Sequence, residues 1–183
     1  MVCFARILIA VLLLVVLLPQ STHAREPFTL ESVQSQVRRD YQDLGHLSTS
    51  ALADMVRGEE NVLLFDVREP EEFAVSHIPG AHRVDPGLSR TAFLQRYGDT
   101  VAERVVVFYC SVGVRSSQMA QAVQAALEKK GANNVFNLDG GVFGWHNEKR
   151  PLENGKGETL YVHPYDSRWG KLVARTDLIR TAP

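Results

Sequence analysis

Cys110 follows Val105, Val106, Val107, Phe108 and Tyr109 and precedes Ser111, Val112, Gly113, Val114, Arg115 and Ser116. Five apolar residues, mostly β-branched or aromatic, fit a strand covered on both faces, and the sulfur comes where that strand must stop. Gly113 permits the backbone angles of a tight loop. From Ser116 onward Met119, Val123, Ala126 and Leu127 recur at helical spacing. The loop amides therefore lie at a helix N-terminus, where the dipole favours negative charge, and a cysteine so placed is read as a nucleophilic thiolate in preference to a small core filler. The amides of residues 111–116 can act as a nest for an anion formed on the sulfur. Arg115, always charged, either forks to an anionic substrate or locks the loop through carboxylate or carbonyl groups. Val112 and Val114 are walls of the pocket mouth or simply loop residues.

The elements that must position this loop alternate along the chain. An amphipathic helix is expected within residues 25–45, where Leu30, Val33, Val37, Tyr41 and Leu44 recur at three- and four-residue intervals, with Gly45 ending it. Ser48 or Thr49 caps a short helix through Val56. Residues 62–67 form an apolar strand, and Pro70 with Glu69, Glu71 and Glu72 opens a short helix. A short strand at 81–84, a helix at 91–97, the central strand at 104–110, a long helix at 116–130, a strand at 135–138 and an aromatic helix at 142–148 complete the series. That order implies an α/β domain with a parallel sheet. In such sheets ligands bind beyond the carboxyl ends of the strands, where Cys110, Asp66 to Arg68 and Asp139 to Gly140 all fall.

The first residues read as a targeting segment: Arg6, an apolar run over 7–18, then Pro19, Gln20, Ser21, Thr22, His23 and Ala24. The run is shorter than the roughly 20 residues of a spanning helix, so a signal peptide cut after Ala24 is expected, with an uncleaved anchor as the alternative. Thr22 departs from the usual cleavage pattern. Cleavage would remove Cys3 and leave Cys110 alone, excluding an internal disulfide, paired-cysteine zinc sites and a Cys-x-x-Cys redox centre. The six histidines are scattered, and neither metal nor cofactor is expected. A formal charge of −1, moving to −2 with loss of Arg6, carries no nucleic-acid footprint. With the leader removed, no stable membrane insertion is expected.

Four segments resemble one family in its own order: Leu63-Leu64-Phe65-Asp66-Val67-Arg68-Glu69-Pro70-Glu71-Glu72-Phe73, His77-Ile78-Pro79-Gly80-Ala81, Tyr109 to Ser116, and Leu138-Asp139-Gly140-Gly141 with Trp145. The chain resembles an exported single-domain rhodanese-like sulfurtransferase. The resemblance implies a three-layer α/β domain over residues 47–152, with a central, mostly parallel sheet and helices on both faces. Residues 1–24 would be the leader, 25–46 a helical extension and 153–183 a C-terminal extension. It further implies that Cys110 is catalytic and accepts a sulfane sulfur as a persulfide. Ser111, Val112, Gly113, Val114, Arg115 and Ser116 would surround the substrate, with Asp66 and Arg68 in a supporting ion pair. His77 falls in a scaffold turn and, like His82, is assigned no acid-base role; Trp145 is expected in the core. Members specialised for thiosulfate carry basic residues directly after the cysteine, whereas Ser111 and Val112 stand here.

Phosphatase or arsenate reductase chemistry is the enzymatic rival, but such loops place five residues between cysteine and arginine and this one has four. A sulfur carrier that does not turn over, or a partner-binding module, is the rival of another class. Donor and acceptor could be small molecules or proteins, with a protein partner engaged through the terminal extensions. The aromatic tail with Tyr161, His163, Pro164, Tyr165 and Trp169 is expected to fold back on the domain or to mark such a partner site. Intact-mass measurement of the chain recovered from the exporting cell should give an N-terminus at Arg25; a retained leader would indicate an anchor.

Overall fold

A computed structural model describes residues 27–58 and 60–183, so the leader expected at 1–24 lies outside the described residues. The sheet is built from β1 (Gly45–Leu47), β2 (Val62–Asp66), β3 (His82–Arg83), β4 (Val105–Tyr109) and β5 (Asn134–Leu138) in the spatial order β1-β5-β4-β2-β3. Every pairing among these strands is parallel. Among the described residues six α-helices connect or flank them: α1 (Leu30–Asp40), α2 (Thr49–Arg57), α3 (Pro70–Val75), α4 (Arg90–Tyr97), α5 (Val114–Lys129) and α6 (Gly141–Asn147).

Strand alternation divides the core in two. On β4, Val107 and Tyr109 face Val33 of α1, Leu52 of α2 and Phe143 and Trp145 of α6. Val106 and Phe108 turn the other way, onto Phe93 of α4 and Met119, Val123 and Leu127 of α5. The central strand is thus covered on both faces, as its unbroken apolar run requires. Phe65, Phe93 and Phe108 pack as a ring cluster on the second face, with centroids 5.1 to 5.5 Å apart.

Two readings of the sequence change here. Gly45 does not end α1; it opens β1, and the helix stops four residues earlier at the cap Tyr41. A side chain at Gly45 would collide with the Phe136 ring of the paired strand, with Cβ only 2.5 Å from Cδ1, so the glycine serves strand packing and not a helix end. The long helix also begins at Val114, two residues before the expected start, because Gly113 adopts the left-handed conformation that caps it.

The tail folds back. After a hairpin of β6 (Leu152–Asn154) and β7 (Gly157–Thr159), residues 160–183 run across α6. Val162, Leu172 and Val173 are buried in the same cluster as Val107 and Trp145, so the tail completes one side of the core. Its polar anchors are Asn147, which donates to the Leu172 carbonyl at 2.9 Å and accepts from the Ala174 amide at 2.8 Å, and His146, whose Nε2 lies 2.9 Å from the Leu160 carbonyl. His163 accepts the Tyr165 amide on Nδ1 at 3.1 Å. Burial lowers the pKa of both His146 and His163 below the ordinary 6.5. The unfolded chain therefore binds more protons than the folded one, and the stability these rings provide is complete above about pH 6.5 and falls as pH drops below it. Protection factors of the amides in 160–173, which cancel the intrinsic pH dependence of exchange, should fall between pH 7 and pH 5.5 more than those in β4; an equal fall in both would contradict this assignment.

Candidate active site

Cys110 is the first residue beyond β4, and its loop is held mainly by main-chain bonds. The Tyr109 carbonyl accepts the Val67 amide at 2.7 Å, and the carbonyls of Cys110 and Ser111 accept the Val142 and Phe143 amides at 2.9 and 3.0 Å. That contact explains Gly141, whose φ is +54° and where any Cβ would run into the Cys110 carbonyl oxygen. The loop thus lies directly against the start of α6.

The sulfur accepts the Gly113 amide at 3.2 Å. Gly113 has φ +105°, and a Cβ there would stand 3.0 Å from Asn137 Nδ2, so both conformation and space exclude a side chain. The next amides, of Val114, Arg115 and Ser116, open α5 and have no acceptor within the helix. Cys110 is 1% exposed and is among the residues that line a pocket of about 170 Å3.

A carboxylate holds the loop from behind. Glu72, on α3 and almost fully buried, receives Ser111 Oγ at 2.8 Å and a two-pronged Arg115 guanidinium at 2.8 and 2.9 Å, while its Oε2 also accepts the Glu69 amide at 3.1 Å. Burial alone would raise the Glu72 pKa, but the hydrogen bonds and charge of Arg115, the Ser111 hydroxyl and the more distant Arg68 outweigh it and hold the carboxyl below 4.5. For Arg115 burial works against the charge, and Glu72 together with charge on Cys110 raises the pKa above its ordinary value. Of the two roles open to Arg115 in the sequence, the geometry shows the locking one.

Asp66 and Arg68 form a fully buried pair, with Arg68 Nε and Nη2 donating to Asp66 at 2.8 and 2.6 Å. Nη2 also reaches the Ser76 carbonyl at 2.6 Å, which ties β2 to the end of α3. This pair lies outside the pocket lining. His77 stacks on Phe73 at 3.7 Å, and Trp145 packs in the core with its indole N–H on the Pro151 carbonyl.

Of the loop residues singled out in the sequence, Ser111, Val112, Val114 and Arg115 line the pocket with Cys110. Gly113 contributes its amide to the sulfur. The Ser116 hydroxyl is turned away, donating to Asn137 Oδ1 at 2.7 Å, so Ser116 can offer the pocket only its main chain.

The remaining wall comes from the tail: Tyr165 and Trp169 complete the lining. Tyr165, with φ +66°, sets its ring 4.6 Å from the Arg115 guanidinium carbon. Asp166 Oδ1 accepts the amides of Arg168 and Trp169 at 2.8 Å, capping the turn that carries Trp169. Sequence reading alone assigns Glu72, Asn137, Tyr165 and Trp169 no part in the pocket or its support. Glu72 is indistinguishable there from any acid in a first helical turn. The aromatic content of the tail was the one signal for Tyr165 and Trp169.

Glu72→Ala should cost about 3 kcal/mol in urea denaturation, because it strands a mostly buried guanidinium. A loss no larger than that of an exposed control such as Glu71→Ala would mean that Glu72 does not anchor the loop. As the carboxyl pKa is lowered on folding, the Glu72 contribution is present above about pH 4.5 and disappears as pH falls through its lowered value.

The Rhodanese-like domain family matches residues 48–148. Among curated relatives, a probable adenylyltransferase/sulfurtransferase, MoeZ, of Mycobacterium tuberculosis is 30% identical over 100 residues, 55% of this chain; the chain spans only 24% of that relative's length. A sulfurtransferase of Allochromatium vinosum is 31% identical over 109 residues, covering 60% of this chain and 94% of the relative. Among solved structures, a thiosulfate sulfurtransferase of Pseudomonas aeruginosa superposes with a TM-score of 0.55 at 20% identity, over 69% of this chain and 23% of that one, a likeness of fold. The parallel sheet with helices on both faces, the cysteine loop at its carboxyl edge and these matches agree: the chain belongs to the rhodanese-like domain family.

Proposed function

We propose that the protein is a sulfurtransferase that moves a sulfane sulfur through a persulfide on Cys110. The observation that carries this reading is the sulfur of a pocket-lining cysteine, with the Gly113 amide at 3.2 Å and the first amides of α5, which lack partners within the helix, following directly in the chain. The Cys110 thiolate attacks the outer sulfur of a donor, the S–S or S–X bond breaks, and the leaving group departs with the electron pair. The terminal sulfur of Cys–S–S⁻ then carries the negative charge, which the Gly113 amide and the start of α5 stabilise. A thiophilic acceptor takes that sulfur and restores the thiolate, a double displacement.

Arg115 contributes by holding the loop through Glu72, and Asp66 with Arg68 by holding β2 against α3. Four residues between cysteine and arginine suit a cargo smaller than a tetrahedral oxyanion, which favours sulfur over phosphoryl or arsenate chemistry. We further propose that the protein is exported, on the strength of the apolar run at 7–18; no helix of the described residues is long and apolar enough to cross a membrane.

Incubation with a sulfane donor should add one sulfur atom to the intact mass of the wild type and none to Cys110→Ser. Thiocyanate release in the presence of cyanide should fall at least about a thousandfold in that variant. Turnover surviving in Cys110→Ser would overturn the mechanism, and a persulfide that no acceptor discharges catalytically would assign the protein as a sulfur carrier.

A further inference from the structure

The pocket above Cys110 is poor in charge. Among the described residues that line it, Arg115 is the sole ionic side chain, and both ends of its guanidinium fork are engaged by Glu72. Its guanidinium carbon lies over the Tyr165 ring, 4.6 Å from the ring centre. Arg168, the next cation along the tail, lies over the rings of Phe28 and Trp169 at 5.0 and 5.6 Å and is not part of the lining. Ser111 commits its hydroxyl proton to Glu72, and apart from it and the cysteine the lining is aliphatic or aromatic: Val112 and Val114 from the loop, Tyr165 and Trp169 from the tail.

This composition discriminates between sulfur donors. Inorganic thiosulfate is a compact dianion that must shed strongly bound water to enter, and here the cation it would meet is already neutralised. A donor whose sulfane sulfur is attached to a flat apolar group brings less charge per unit of surface and can lay that group against the aromatic side chains that line the pocket. A cavity of about 170 Å3 also exceeds what a lone transferred sulfur requires.

The two aromatic walls are fixed independently of any substrate. The Tyr165 amide is held by His163 and its ring rests against the Arg115 guanidinium; the Trp169 amide is held by the Asp166 cap and its ring meets Phe28 edge-on at 5.5 Å. They are therefore a preformed feature of the folded tail and not a flexible flap.

Building on the sulfurtransferase reading, we propose that Tyr165 and Trp169 are specificity-determining residues that select an organic sulfane-sulfur donor with an apolar body over the thiosulfate dianion. The test reaction balances simply. Cys110 thiolate attacks the outer sulfur of benzenethiosulfonate, benzenesulfinate leaves with the S–S electron pair, and Cys–S–S⁻ remains; cyanide then removes the outer sulfur as thiocyanate and regenerates the thiolate.

The experiment compares kcat/KM for benzenethiosulfonate and for thiosulfate, with cyanide as acceptor, in the wild type, Tyr165→Ala, Trp169→Ala and the apolar but non-aromatic Trp169→Leu. The wild type should favour the aryl donor by at least about tenfold, and each alanine variant should lower that ratio at least about fivefold, with Trp169→Leu in between. Persulfide formation with both donors at equal efficiency, or a preference for thiosulfate, would overturn the selectivity while leaving the sulfurtransferase reading intact. A wild-type preference unchanged in both alanine variants would overturn the role of the tail. Absence of persulfide and of thiocyanate with either donor would sink the sulfurtransferase reading, and the selectivity with it.

Discussion

The Glu72 carboxylate is a meeting point for three parts of the chain. It accepts hydrogen bonds from the Glu69 amide on its own helix, from the Ser111 hydroxyl next to the cysteine, and from both ends of the Arg115 fork at the start of α5. A buried carboxylate without such partners would be strongly disfavoured, so these groups and Glu72 hold one another in place. The loop conformation follows: with Ser111 and Arg115 drawn back toward α3, the sulfur faces the Gly113 amide and the opening of α5. From the other side, the amides at the start of α6 grip the carbonyls of Cys110 and Ser111. The cysteine is positioned by groups that do not themselves need to touch a substrate.

The arrangement leaves the charge of Arg115 committed inside the protein and hands the outer surface of the pocket to the tail. A family motif that ends in arginine invites the idea of an anion clamp, yet in this chain the cation completes the scaffold. Character at the pocket mouth then depends on Tyr165 and Trp169, well outside the 48–148 span that matches the family.

Much of this was legible in the sequence. The unbroken run before Cys110 identified β4 as central and covered on both faces, and of the two cap candidates Ser48 and Thr49 it is Ser48 that caps α2, accepting the Ala51 amide. What sequence periodicity missed is physically intelligible. β1 has three residues, too few to show alternation, and its glycine resembled a helix stop until the Phe136 ring across the pairing gave it a different reason. The local signal of Glu72 marks only a helix start, where it accepts the Glu69 amide; its partners in the cysteine loop lie about 40 positions away in the chain. Asn137 alternates correctly in β5 yet is polar and buried, and the need for it appears only once Ser116 and Gly113 are placed beside it. The tail has no periodic pattern since it is held by single side-chain anchors to α6 and not by a continuous ladder.

The two margins of the sheet bear on how copies of the protein behave toward each other. β3 has two residues and β1 three, whereas the interior strands β2, β4 and β5 have five each. An unpaired strand border is a template on which another chain can stack, and parallel sheets assemble slowly enough to leave such borders bare for a time. Borders this short present few free amides and carbonyls, which disfavours intermolecular zippering and the fibrous precipitates it seeds at high concentration.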